Sequence, residues 1–362
     1  NSLSSAQISA LGTGNINNLS STQLRALSSA AVNTLSSTQV AQLDTKIATL
    51  TSSQISAIAT SVVKELSSAQ IQALGTSGIT ALKTNQIQAL DTADVTNLTS
   101  AQVGALTSSQ IAALTSSQIV GLETADMGAL TSAQVKALSA TTVGQLSSSQ
   151  IKTLTSAQLQ ALTSAQIQAL GTSSINELTT AQISTLSSSN IASLSSAQIS
   201  NLSSTLFGNL SSSQISSIST AALSSLTSDK LQAFGTTGAS ALSASQISAL
   251  GTSGITNLSG SQLGALSTSA INTLSTAQIA ALGTTNISNF SSTQLRALSS
   301  SAINTLSSAQ IAQLDTKMAT LTSSQIGALA TAVIKELSSA QIQALGTSGI
   351  TALNTAQIQA LD

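Results

Sequence analysis

Leu162-Thr163-Ser164-Ala165-Gln166-Ile167-Gln168-Ala169-Leu170 is one instance of a phrase that recurs almost without interruption from Ser4 to Leu361. Numbered from Thr163 as position 1 to Leu170 as position 8, it reads as the start of a helix. Position 1 is nearly always Ser, Thr, Gly, Asp or Asn, the residues that suit an N-cap. Position 4 is often Gln, which completes a capping box: the cap hydroxyl accepts from the N3 amide while the N3 side chain accepts from the cap amide. The preceding Leu and the Ile at position 5 then form a hydrophobic staple across the cap.

Positions 5 and 8 lie three apart, on one face of a helix but on opposite faces of a strand. Ala, Leu and Gln fill sites where a strand favours Val, Tyr, Phe and Thr. The octad therefore predicts a helix of about one and a half turns, followed at once by the next cap. A single uninterrupted helix fits less well, because it would carry Ser/Thr pairs and glycines throughout and its apolar stripe would drift by about 80° per octad. A β-solenoid is the alternative fold.

The octads alternate. Those beginning at Ser4, Ser20, Ser36, Thr51, Ser67, Lys83 and Thr99, and every second one after, carry Gln at position 4, with Lys230 as the exception. The intervening octads usually lack it and often open with Gly or an acid, as at Gly12, Gly75, Asp91 and Glu123; Gln110 and Gln158 depart from that rule. The expected unit is thus 16 residues, two octads forming one coil of an elongated all-α solenoid stacked on its neighbours. The expected organisation is one continuous array over residues 1–362. Above it sits a longer period. Residues 1–91 align without a gap on 272–362 at an offset of 271, with most positions identical. The segments Asp44 to Leu50 and Asp315 to Leu321 have seven residues instead of eight, implying a kink or a tightened turn. A natural protein with further superrepeats is the expectation.

Composition removes most reaction chemistry. The chain has no Cys, His, Pro, Trp or Tyr, so the usual general base, thiolate and metal ligands are missing. Serine is abundant, but a nucleophilic serine needs an activating base beside it; no catalytic residue is assigned, and the protein is expected not to be an enzyme. Ten Lys and Arg scattered along a chain of net charge −1 argue against nucleic acid, which demands clustered cations. No apolar run approaches the ~18 residues of a membrane span.

Several residues invite a site reading. Asp91 and Asp94, with Glu123 and Asp126, offer oxygen ligands of the kind calcium takes, yet acids at positions 1 and 4 are more simply helix-capping groups. No metal site is assigned. The Gly-Thr-Ser-Gly segments at Gly75–Gly78, Gly251–Gly254 and Gly346–Gly349 lack the following Gly-Lys-Ser/Thr of a phosphate loop, and capping explains them. Arg25 and Arg296 are expected to snorkel over the core edge. Lys64-Glu65 and Lys335-Glu336 are expected to be solvated.

The phrases Leu98 to Leu106 and Leu154 to Leu162 resemble the Thr/Ser-x-Gln-Val/Ile-x-Ala-Leu octad arrays of very large repetitive proteobacterial proteins, often labelled adhesin-like or haem-utilisation proteins. The resemblance covers nearly the whole chain and implies a secreted or surface-attached bacterial protein. Haem is not carried over, since His, Cys and Tyr are absent and Met127 and Met318 are isolated; no cofactor is expected. The functional expectation is a self-associating extracellular fibre, filament or stalk with an adhesion, matrix or sheath role. The alternatives are a polysaccharide- or ice-binding surface, with cell-surface glycans as partners, and a passive spacer in a giant adhesin.

Overall fold

The computed structural model describes residues 3–361. The described residues form short helices with no strand among them, as the octad predicts. The chain divides into two compact units, Asn1–Leu178 and Thr179–Asp362.

Most octads make their own helix by the expected local means. In Ser164–Ala169 the Thr163 amide donates to Gln166 Oε1 at 2.8 Å, and the Gln166 amide donates to Thr163 Oγ1 at 3.3 Å. Leu162 and Leu170 at position 8 and Ile167 at position 5 are buried. Helices end because the position-8 Leu turns extended, as at Leu138 (φ −61°, ψ 146°), followed by an extended cap, Ser139 (φ −68°, ψ 152°). Two extended residues redirect the chain at such corners and leave the next capped helix to begin.

The coil is not the two-helix unit expected from the 16-residue alternation. In the first unit, Gly75–Ala81 packs on Ser100–Ala105, which packs on Thr124–Ala129, which packs on Ser148–Thr153; each helix stacks on the third one along. In the second unit the same holds for Gly235–Ser240 on Gly260–Ala265 and for Gly251–Thr256 on Thr276–Ala281. Three helices complete a coil in both. The physical reason is that a two-sided coil requires a near reversal at every corner, and a corner of two extended residues turns the chain without reversing it. The alternation of glutamine is chemical and does not mark the coil. Because the coil holds an odd number of octads, a Gln-bearing helix lies over a variant helix and under another.

Positions 5 and 8 fill the interior; Ile87, Val103, Ile119, Val135 and Ile247 are wholly buried. Full burial of one such side chain contributes about 1.5–3 kcal/mol. Positions 1, 3 and 6 face solvent in most octads.

Both seven-residue segments are tightened turns. Asp44–Thr49 and Asp315–Thr320 are 3₁₀ helices, and their first residues, Asp44 and Asp315, sit at φ 46°. That left-handed start absorbs the missing residue. The Gly-Thr-Ser-Gly segments also differ from the expected N-caps. Gly75, Gly251 and Gly346 have φ of 62–64° and follow a helical Leu, so they end one helix in the left-handed conformation glycine tolerates. The second glycine is needed for space: a Cβ on Gly78 would stand 2.8 Å from Leu74 Cβ.

Candidate functional site

The position-4 glutamines are the most regular polar feature of the interior. Away from the first coil they are 1–6% exposed, although a capping box as such belongs at a helix surface. Each uses both ends of its amide. Gln134 Oε1 accepts from the Thr131 amide at 2.6 Å, while Nε2 donates to the Leu106 carbonyl at 2.6 Å and the Val103 carbonyl at 3.0 Å. Those carbonyls end a helix in the coil below. Gln102 likewise donates to Ile71, Gln166 to Val135 and Leu138, and Gln246 to Ile215 and Ile218. The C-terminal carbonyls of a helix are orphans by construction. The glutamine of the next coil satisfies them.

The sequence carried a signal for this second role. A capping box accepts Glu as readily as Gln, and Glu at N3 gains from the helix dipole. Boxed octads nonetheless use Gln at position 4, or Asn at Asn190, and Lys230 takes that place in an octad that forms no box. An N–H donor is what Gln and Lys share and Glu lacks. Lys230 indeed donates its ammonium to the Ser200 carbonyl of the preceding coil. Lys46 and Lys317 do the same from the 3₁₀ turns, Lys317 reaching the Ser288 and Phe290 carbonyls at 2.6 and 3.0 Å.

Arg25 and Arg296 do not merely lie over the core edge. Their Nε atoms donate to the Thr49 and Thr320 carbonyls at 2.9 and 2.8 Å, the last residues of the two 3₁₀ turns. Gln72 and Gln232 make the analogous bond to Asn97 and Asn257. Lys64, Glu65, Lys335 and Glu336 are exposed, as expected.

The acidic pairs stay separate. Asp91 caps its helix by accepting from the Asp94 amide at 2.7 Å. Asp94 occupies the buried position 4, and desolvation, with the Asp91 charge beside it, raises its pKa to about 6. Its carboxylate accepts from Ser68 Oγ at 3.5 Å, and Asp126 accepts from Ser100 Oγ at 2.7 Å. Thr142 at the same position also ties into a hydroxyl of the coil below, that of Ser116 at 2.9 Å. Among the described residues no three acids converge as a metal site would require, and no buried side-chain nitrogen or oxygen lacks a hydrogen-bond partner. No helix among them is long and apolar enough to cross a membrane.

These features define a repeat protein of short stacked helices joined by buried side-chain amides. The family model of the ALTTAQ repeat matches residues 87–122, 119–156, 143–172, 255–292 and 326–362, less than half of the chain. Every match begins at a position-5 aliphatic residue, Ile87, Ile119, Val143, Ile255 or Ile326. No curated protein matches the sequence.

Proposed function

We propose that this chain is a non-enzymatic structural protein that builds an extracellular fibre, filament or surface stalk of a bacterium and associates with copies of itself. One observation carries the reading: buried polar side chains, position after position, are consumed in joining coil to coil, and none among the described residues is left to recognise a small molecule. A surface of small hydroxyl and amide side chains with 6% charged residues supports it, because copies meet across such a surface without desolvating many ions. The resemblance to surface-attached repetitive proteins supports the extracellular placement.

The test is cryo-electron microscopy of native material, combined with labelled antibody on intact cells. Continuous filaments outside the cell, built from the three-helix coil, support the proposal. Intracellular protein, or isolated molecules that instead bind polysaccharides or inhibit ice recrystallisation, overturns it in favour of a binding module.

A further inference from the structure

Position 7 is most often Ala, but six octads place an asparagine there: Asn18, Asn97, Asn201, Asn209, Asn257 and Asn289. Each is followed by Leu or Phe and then by a Ser or Thr cap, so each completes Asn-x-Ser/Thr, the acceptor pattern for sugar on an asparagine amide. In a chain this rich in hydroxyls the pattern arises easily. Its place in the coil is what selects it.

The motif straddles a corner. Asn209 ends the helix Ser204–Gly208 at φ −99°, ψ 2°, and Ser211 is extended at φ −72°, ψ 162°. Asn201 closes the helix Ser196–Asn201, and Leu202 and Ser203 after it are both extended. The side chains of Asn97, Asn201, Asn209 and Asn289 are exposed, and that of Asn257 is half-buried. The Nδ2 groups of Asn97, Asn209 and Asn289 donate to the carbonyl four residues back, at 2.7, 2.8 and 2.9 Å. That bond uses one of two N–H groups. A seventh match, Asn286-Ile287-Ser288, lies differently: Asn286 stands at position 4, inside the helix Thr284–Ile287, and is half-buried.

We propose that the position-7 asparagines are sites of N-linked glycosylation, the sugar coming from a glycosyl diphosphate. Nδ2 bonds to the anomeric carbon, the bond from that carbon to the diphosphate oxygen breaks, and the diphosphate leaves with the electron pair. A base on the transferase takes one amide proton. The product keeps one N–H, enough to hold the carbonyl of the preceding turn. In the closed coil the middle residue is buried, as Leu202 and Phe290 are, and the hydroxyl serves as a cap, as Thr99 Oγ1 does for the Gln102 amide at 3.2 Å. Transfer therefore precedes closure of the coil, and the closed coil leaves the sugar outside. This goes beyond the structural-polymer reading and marks the corners at which neighbouring copies are held apart.

Peptide mass spectrometry of native material tests it, using a protease of broad specificity after mild alkali has removed hydroxyl-linked sugar. The expected result is sugar on Asn97, Asn201, Asn209, Asn257 and Asn289 and none on Asn286. Single hexoses identify a nucleoside diphosphate donor and one uniform oligosaccharide a lipid diphosphate; both support the proposal. Bare asparagines overturn it, as does an Asn286 as heavily modified as the rest. Two variants made in the native host separate the motif from the cap. Thr99→Ser should keep the sugar on Asn97, whereas Thr99→Asp, which still caps the helix, should lose it there and nowhere else. Sugar retained on Asn97 in Thr99→Asp overturns the assignment. Filaments with bare asparagines remove this inference and leave the structural reading standing.

Discussion

Gln134→Glu separates capping from joining. By local rules the substitution is harmless: the capping box survives, and the carboxylate gains about 0.3–1 kcal/mol from the helix N-terminus. The coil below makes it costly. Nε2 is replaced by an oxygen facing the Leu106 and Val103 carbonyls, 2.6 and 3.0 Å away in the native protein. The Val103 carbonyl keeps its bond from the Leu106 amide, whereas the Leu106 carbonyl loses its donor, at about 1–3 kcal/mol. The charge itself is desolvated at a site 2% exposed. A buried ion left without its partner costs about 3–5 kcal/mol, which exceeds the dipole gain. At ~1.4 kcal/mol per factor of ten, local opening should rise at least ~100-fold at pH 8. Hydrogen exchange of the amides in Ser100–Ala105 and Ser132–Ala137 measures it directly, without assuming that a repeat array unfolds in one step. The new carboxyl's pKa is raised in the folded state, so the loss grows as pH rises from the unfolded value of about 4.3 and disappears below it, where a protonated carboxyl donates again. Gln23→Glu is the control, with the same box but an exposed side chain; its change should stay within about 0.5 kcal/mol. Equal protection of Gln134→Glu and wild type at pH 8, or equal effects at the two positions, would refute the argument.

Asp94→Asn should stabilise the first unit at pH 7 and flatten its pH dependence. Because the folded pKa of Asp94 lies near 6, above the ordinary 3.8, wild-type stability falls between those values as pH rises, and thermal melts at pH 4 and 7 should show that difference only in the wild type. Asp44→Gly should raise thermal stability by up to about 1–2 kcal/mol, since it removes a Cβ from a left-handed residue; an unchanged or lower melting temperature contradicts this. Gly78→Ala should cost about 1–3 kcal/mol through overpacking against Leu74, read as lost exchange protection in Gly75–Ala81. Ile247→Ala, at a fully buried site, should cost about 2–5 kcal/mol, read the same way in Ala244–Ala249.

What was legible in the sequence was what is decided within nine residues. The cap at Thr163, the box at Gln166 and the staple of Leu162 with Ile167 all follow from side chains three to five positions apart; the structure has the cap and the box and buries both residues of the staple. The number of helices per coil was not legible, because it depends on the angle at corners such as Leu138-Ser139, where no side chain announces the turn. The alternation of Gln102 with Asp94 and Asp126 suggests a two-sided coil, but it is an alternation of chemistry and does not set the angle between helices. The second role of glutamine lay in between. Its clue was the persistent choice of an amide where a carboxylate caps as well, and its meaning appears only when a helix some thirty residues away is placed beneath.

The mismatch between a two-octad alternation and a three-helix coil also bears on how nearly identical repeats find their proper neighbours. A chain of indistinguishable coils has no means of telling correct alignment from slippage by one coil, and every misaligned intermediate would be nearly as good as the native one. Here a slip of one coil sets boxed helices over boxed helices and moves a glutamine such as Gln134 from the end of a boxed helix to the end of a variant one. The nearest equivalent alignment lies two coils away. The two periods thus work as a vernier, marking register in a sequence whose individual phrases carry almost none.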